Sequence, residues 1–278
     1  MEHVDTDEIL GLLKREQKSL TEILRLIQET KTLSQDSVAN LAKIKAKLEQ
    51  LRRLTDVWPS STAAEPLRAW ISQSVADITR VEDQAKYTLG TDLEPALKAI
   101  GLNLVGQYPE FQIGLFTLVL NIETGRAQVW FGRQQELLGD CRLVISEVVT
   151  HIKRVEAQLG SQLTEEDFMK RLRVAYNRLA KGHQGETVPI IGVLAELAFI
   201  LQPSKFQTDP RAENYQPYSR ADFSYDLFRL HRTHPAELRL VIATREATRS
   251  RSGFLWVPEN ESGKGSVFSH VQIKENPS

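Results

Sequence analysis

The chain contains a single cysteine, Cys141, in 278 residues. One thiol excludes an intrachain disulfide and any zinc site built from several thiolates, and it fits a reducing compartment, so the cytoplasm is the expected address. Net charge is also nearly absent. With 35 Lys and Arg against 36 Asp and Glu, the balance is −1, and attraction to a polyanion has to come from a local cluster of cations. Long apolar runs are missing: none approaches the roughly 20 residues needed to cross a bilayer. The opening Met1-Glu2-His3-Val4-Asp5 is acidic where a secretory signal would be basic. Neither membrane spanning nor secretion is expected. What remains, 41% apolar and 26% charged residues, is the composition of a folded globular chain long enough for two modest domains.

Proline is missing from Asp7 to Leu54, and Gly11 is the one glycine there. This predicts one long helix or a helical hairpin. Leu13, Leu20, Ile27, Leu41 and Leu48 share one heptad position, and Leu10, Leu24 and Val38 fall three residues earlier, the spacing of a coiled coil with polar interruptions at Gln17, Lys31, Ser34 and Lys45. Leu33-Ser34-Gln35-Asp36-Ser37 offers capping side chains, so the chain can also turn back there and pair its halves antiparallel. Trp58-Pro59-Ser60-Ser61-Thr62 reads as a linker, Pro66 as an early residue of a helix running to about Leu89, and Gly90 as its end.

After Tyr108-Pro109 the period changes. Phe111, Ile113 and Leu115 lead into Phe116, Leu118, Leu120 and Ile122, with one shift of face near Gly114. Glu123-Thr124-Gly125 then turns into Ala127, Val129 and Phe131, predicting a β-hairpin. Ile145 to Leu159 returns to helical spacing. The fold class expected is α+β and mainly helical. Its units are a coiled coil or helical hairpin over 1–57, helices with a small hairpin over 58–160, and a third unit with a C-terminal tail over 161–278.

In that third unit Thr164-Glu165-Glu166-Asp167 is a near capping box. Phe168, Leu172, Ala175, Tyr176 and Leu179 keep one apolar face until Gly182 and Gly185. A second helix runs from about Pro189 through Ile200, and a loop spans Pro203 to Tyr218. Ser219-Arg220-Ala221-Asp222 starts a third helix, in which Phe223, Leu227 and Leu230 face inward and Arg220, Ser224, Arg229 and Arg232 occupy more exposed arcs. Leu238–Thr244 and Phe254–Val257 read as strands around the basic stretch Arg245 to Gly253. In element order and in this arginine-rich tip, Thr164 to Pro258 resembles the winged helix-turn-helix superfamily. The loop Pro203–Tyr218 is long for that pattern. The resemblance implies that the helix beginning at Ser219 enters the major groove while Arg245, Arg249 and Arg251 reach phosphates or the minor groove.

Charge supports the same reading. Arginines 229, 232, 239, 245, 249 and 251 stand against Glu237 and Glu246, arginine matches phosphate and guanine with its planar fork, and free amides at Ser219 can hold a phosphate. Candidate DNA contacts are therefore Ser219, Arg220, Ser224, Arg229, Arg232, Arg245, Arg249 and Arg251. Asp222 and Asp226 would repel the backbone unless they point away or pair with arginines.

Catalytic patterns are not found. Gly263-Lys264-Gly265-Ser266 has Pro258 where a phosphate loop needs glycine and precedes a strand-like Val267–Val271. The six histidines, 3, 151, 183, 231, 234 and 270, lack a metal-ligand spacing. Glu110 and Glu123 lack the companions of a metal-dependent nuclease, and Cys141 has no base beside it. No cofactor, metal or catalytic centre is expected. The functional expectation is a non-catalytic protein of transcriptional-regulator type that dimerises through its coil and contacts duplex DNA with the winged helix. The alternative is an accessory subunit of a DNA-acting machine, in chromosome handling or defence against foreign DNA, whose coil docks on a partner ATPase.

Overall fold

Asp36 and Asn40 decide the course of the N-terminal chain. Helix α1 (Thr6–Leu33) ends in one 3-10 turn, Ser34–Asp36, and α2 (Ser37–Asp56) begins at once. The Asp36 carboxylate accepts from the Ala39 amide at 3.3 Å, and the Asn40 amide donates to the Leu33 carbonyl at 3.3 Å, which satisfies groups left open where two helices meet. Lys47 of α2 reaches Glu29 of α1 at 2.7 Å, an approach possible only if the helices run antiparallel. Of the two arrangements open in the sequence, the hairpin is the one formed. Helix α3 (Ala64–Lys98) then runs antiparallel to α2, with Lys45 on Glu82 at 2.6 Å and Arg68 donating to the Thr55 carbonyl.

The computed structural model describes residues 6–56, 62–181, 183 and 185–274. The expected linker at Trp58–Thr62 lies almost wholly outside them, as does Gly182. Within them the protein is α+β, mainly helical, with two antiparallel sheets, and no helix is long and apolar enough to cross a membrane.

Gly90 does not end α3. The helix continues for two more turns because Leu93 and Leu97 are fully buried. A side chain at Gly90 would stand 3.0 Å from the Phe111 ring, so the glycine permits close packing of helix on sheet.

The middle of the chain is a five-stranded meander and not a lone hairpin. Strands β1 (Leu104–Gln107), β2 (Glu110–Ile113), β3 (Phe116–Asn121), β4 (Arg126–Phe131) and β5 (Glu136–Arg142) pair in sequence order. The shift of face at Gly114 is the tight turn between β2 and β3, with φ +54°. The expected hairpin is β3 with β4, where Phe116 faces Phe131 and Leu118 faces Val129. β1 is largely exposed and β5 only half buried, so neither shows the apolar alternation by which a strand is read. Helix α4 (Ile145–Gln158) covers the sheet with Val148, Ile152 and Val155.

Helix α5 (Glu165–Ala180) is capped by Thr164, which accepts from Asp167. β6 (Val188–Pro189), α6 (Ile190–Ile200), the short α7 (Ser204–Thr208), α8 (Arg220–Thr233), β7 (Leu238–Ile242), β8 (Leu255–Pro258) and β9 (Gly265–Ile273) follow. β9 is the hub of the second sheet: β6 and β7 flank its end, and β8 pairs with its beginning. Gly263-Lys264-Gly265 is the turn into β9, where the Asn260 side chain accepts from the Ser262 and Lys264 amides.

Two apolar cores result. One runs without a break from the α1–α3 helices through the meander to α4, so no packing boundary falls near residue 57. The other joins α5, α6, α8 and the second sheet. β8 belongs to both: Leu255 and Val257 enter the second core, while Trp256 points the other way into the first, edge-on to Phe131 at 5.4 Å.

Candidate nucleic-acid interface

Ser219 starts α8 as expected, but its amide is already used. Ser219 Oγ accepts from the Asp222 amide at 3.2 Å, and Asp222 Oδ2 accepts from the Ser219 amide at 2.8 Å, a complete capping box. A carboxylate therefore occupies the helix end where a phosphate was expected. Asp222 also accepts from the Gly160 amide at 2.9 Å. Asp226 is buried one helical turn on. It accepts from the Ser161 amide at 2.7 Å and the Tyr218 hydroxyl at 2.9 Å. Burial raises the Asp226 pKa above the usual carboxylate value against these hydrogen bonds, and raises that of Tyr218 as well. The two acids thus point into the protein, where they pin the chain between α4 and α5.

The expected exposed arc of α8 is largely covered, and of its four residues Arg232 alone stays exposed. Phe223, Leu227 and Leu230 face the second core, but Ala221, Ser224 and Phe228 are buried as well, and Ala221 and Tyr225 pack into the first core. Ser224 is 1% exposed and donates from Oγ to the Trp256 carbonyl at 2.5 Å. Arg220 reaches back to the meander: its Nε sits 2.5 Å from Glu136 of β5, and its terminal nitrogens donate to the Arg251 and Phe254 carbonyls at 2.7 Å each. Arg229 pairs with Asp226 at 3.5 Å and donates to the Leu163 carbonyl. Arg232 pairs with Glu261 at 2.5 Å and lies over the Phe228 ring. Arg229 and Arg232 line a cleft of about 640 Å³ between the meander and α8, with Leu115 and Phe116 on its other side. Ser219, Arg220, Ser224 and Arg229 are thus committed to structure, and the expectation that α8 presents them to base edges is corrected. The cause is tertiary packing on the helix face that a sequence-only reading leaves to solvent: β8 holds Ser224, Leu163 and Glu165 at the start of α5 hold Arg229, and β5 holds Arg220.

The basic tip is different. Between β7 and β8, two 3-10 turns, Ala247–Arg249 and Arg251–Gly253, hold a compact loop. Arg245 and Arg249 are exposed on it and have no side-chain partner among the described residues. Arg251 pairs with Glu136 yet keeps 65% of its side chain exposed. The structure therefore separates the eight candidates: Arg245, Arg249 and Arg251 lie on the exposed loop, Arg220, Ser224 and Arg229 are held by β5, β8 and the start of α5, Ser219 caps α8, and Arg232 stays exposed beside Glu261.

No family model, no curated protein and no solved structure matches this chain.

Spacing did not reveal Glu136, the one carboxylate that holds both Arg220 and Arg251, because it lies at the start of a strand without alternation. His151 carries no local signal in the sequence that sets it apart from the other histidines. It is buried on α4 beside Cys141 and Arg154, with Nδ1 accepting from Arg154 at 2.7 Å and Nε2 lacking a partner. Burial and the neighbouring guanidinium lower its pKa, while burial raises that of Cys141. His231 is exposed, and the His234 ring contacts the Thr233 hydroxyl.

Proposed function

We propose that this is a non-catalytic, cytoplasmic DNA-binding protein that holds the duplex backbone with its wing and does not read base edges with α8. One observation carries the reading: α8 is packed between β8, α5 and the start of β5, while Arg245 and Arg249 stand without a side-chain partner among the described residues on the loop between β7 and β8. The order α5–β6–α6–α8–β7–β8–β9, with β6 and β7 on either side of β9, supports a winged helix whose third helix is used for internal packing. Contacts confined to phosphates position a protein on DNA without selecting sequence. This favours an accessory subunit of a DNA-acting assembly over a sequence-reading regulator.

Fluorescence anisotropy with duplexes of unrelated sequence, across a salt series, tests the reading. The parent is expected to bind all duplexes within a factor of about three, with log K falling by about 0.9 per log unit of salt for each phosphate contacted. The triple variant Arg245→Ala, Arg249→Ala, Arg251→Ala is expected to bind more weakly and to flatten the slope by about two. A strong preference for one sequence, or a triple variant that binds like the parent, overturns it.

A further inference from the structure

Two apolar stripes run along α1. The inner one, through Ile23, Leu26 and Thr30, is buried in the hairpin. The outer one passes through Leu10, Leu13, Leu20 and Leu24, and these remain 47, 56, 41 and 62% exposed. Four exposed leucines in one line are more than scattered surface residues explain. The hairpin register shows why nothing among the described residues covers them. Glu29 meets Lys47, so Asp56, nine residues after Lys47, falls level with Leu20, nine before Glu29. From Thr6 to Ser19, α1 runs on past the last described residue of α2, and even Ile9 and Leu12 are exposed there, by 44 and 53%.

We propose that the outer stripe is the interface with a second copy of this chain, the two α1 helices lying parallel and in register through positions 10, 13, 17, 20 and 24. The 3–4 spacing of these positions is that of a two-stranded seam, and none of them is charged. Gln17 at the centre identifies the occupant. Against a foreign apolar helix its amide would be buried without a partner. Against its own copy in register, amide meets amide and each supplies the donor or acceptor the other needs. The flanks agree. A parallel pair sets Ile9 beside Lys14 of the second copy and Glu16 beside Thr21, so no like charges are opposed. Glu22, Arg25 and Glu29 lie away from the seam and pair with one another within the helix. Leu10 to Leu24 spans about 21 Å of helix, two heptads, a short seam, so association is expected to be weak, in the micromolar range. This pairing does not depend on DNA contact. If both hold, it presents two weak wings together and raises their avidity.

Sedimentation equilibrium on the full chain from about 0.1 to about 100 µM is the test. A reversible monomer–dimer equilibrium is expected, with Leu13→Glu, Leu20→Glu raising the dissociation constant at least about 100-fold. Both sites are exposed, so the variant's circular dichroism and melting should match the parent's. Gln17→Cys under oxidised glutathione is expected to cross-link two copies, whereas Lys18→Cys, on another face, is not, with Cys141 common to both. A parent that is monomeric throughout, or a dimer indifferent to the double variant, overturns the proposal. A dimer that Gln17→Cys does not cross-link overturns the parallel register. DNA binding by the wing is read in a separate titration, so its failure leaves this result untouched.

Discussion

His151 and Glu136 show how single side chains tie the molecule together. Burial and the Arg154 guanidinium lower the folded pKa of His151 below its unfolded value. As pH falls below about 6.5 the unfolded chain takes up a proton that the folded one refuses, and stability drops, by at most about 1.4 kcal/mol per pH unit for one proton. Thermal melts between about pH 7.5 and pH 5.5 should therefore show a smaller decline in His151→Phe than in the parent. Equal declines would assign the pH dependence elsewhere. Glu136 holds Arg220 and Arg251 together, with the Glu136 and Arg220 side chains only about a fifth exposed. Removing one partner of a largely buried pair leaves the other charge uncompensated. Glu136→Gln is expected to cost about 2 kcal/mol, or about 4–8 °C in Tm, while releasing Arg251. The same variant should steepen the salt dependence of DNA binding by up to about one phosphate equivalent. A variant with unchanged Tm would show that the cluster contributes no stability.

At the scale of elements, local signals proved legible where one residue performs one local task. Thr164 and Ser219 cap the helices they were expected to cap, Pro189 precedes α6, and the turn at Glu123-Thr124-Gly125 joins β3 to β4. The misreadings share a cause, which is that tertiary contact reassigns a residue's partner. Gly90 looked like a helix end because glycine is the commonest residue there, but Phe111 lies against it. β1 and β5 escaped notice because their exposed faces erase the alternation. The heptad line was real in spacing and divided in space: Leu41 and Leu48 are buried inside the hairpin, whereas Leu13 and Leu20 face out. In sequence Ser224 and Arg220 fall on an open face, because no local spacing shows that Trp256 of β8 and Glu136 of β5 close on it. The basic loop between β7 and β8, the proposed wing, depends on Gly253, where an added Cβ would overlap the backbone carbonyl of Ala247. Gly253→Ala should force its two 3-10 turns apart, weakening DNA binding at least about tenfold while lowering Tm by no more than about 3 °C. Unchanged DNA affinity would mean that the loop's shape is not what places Arg245 and Arg249.

For the molecule as a whole, the decisive feature is that β8 divides its side chains between two cores. Leu255 and Val257 are anchored in the second core and Trp256 in the first, where its ring meets Phe131 and fills the space above Gly132, whose added Cβ would come within 2.7 Å of it. Ser224 fixes the same residue from α8 through its carbonyl. One strand thus couples the meander to the second sheet, and the coupling buries the face of α8 that a sequence-reading winged helix would leave open. Truncating the ring should act on both stability and cooperativity. Trp256→Ala removes one of the largest side chains in the contact and is expected to cost about 3–5 kcal/mol. The two cores retain their own apolar residues, so they should then melt separately. Calorimetry of the parent should give one transition, and of the variant two, because loss of a shared element ends the condition for all-or-none unfolding. If the variant still melts in a single transition, the Arg220–Glu136–Arg251 cluster and the remaining contacts of α8 with the meander are enough to couple the cores without the ring. If the parent itself melts in two, the cores are independent already, and α8 is held against the meander too weakly to exclude its release on DNA.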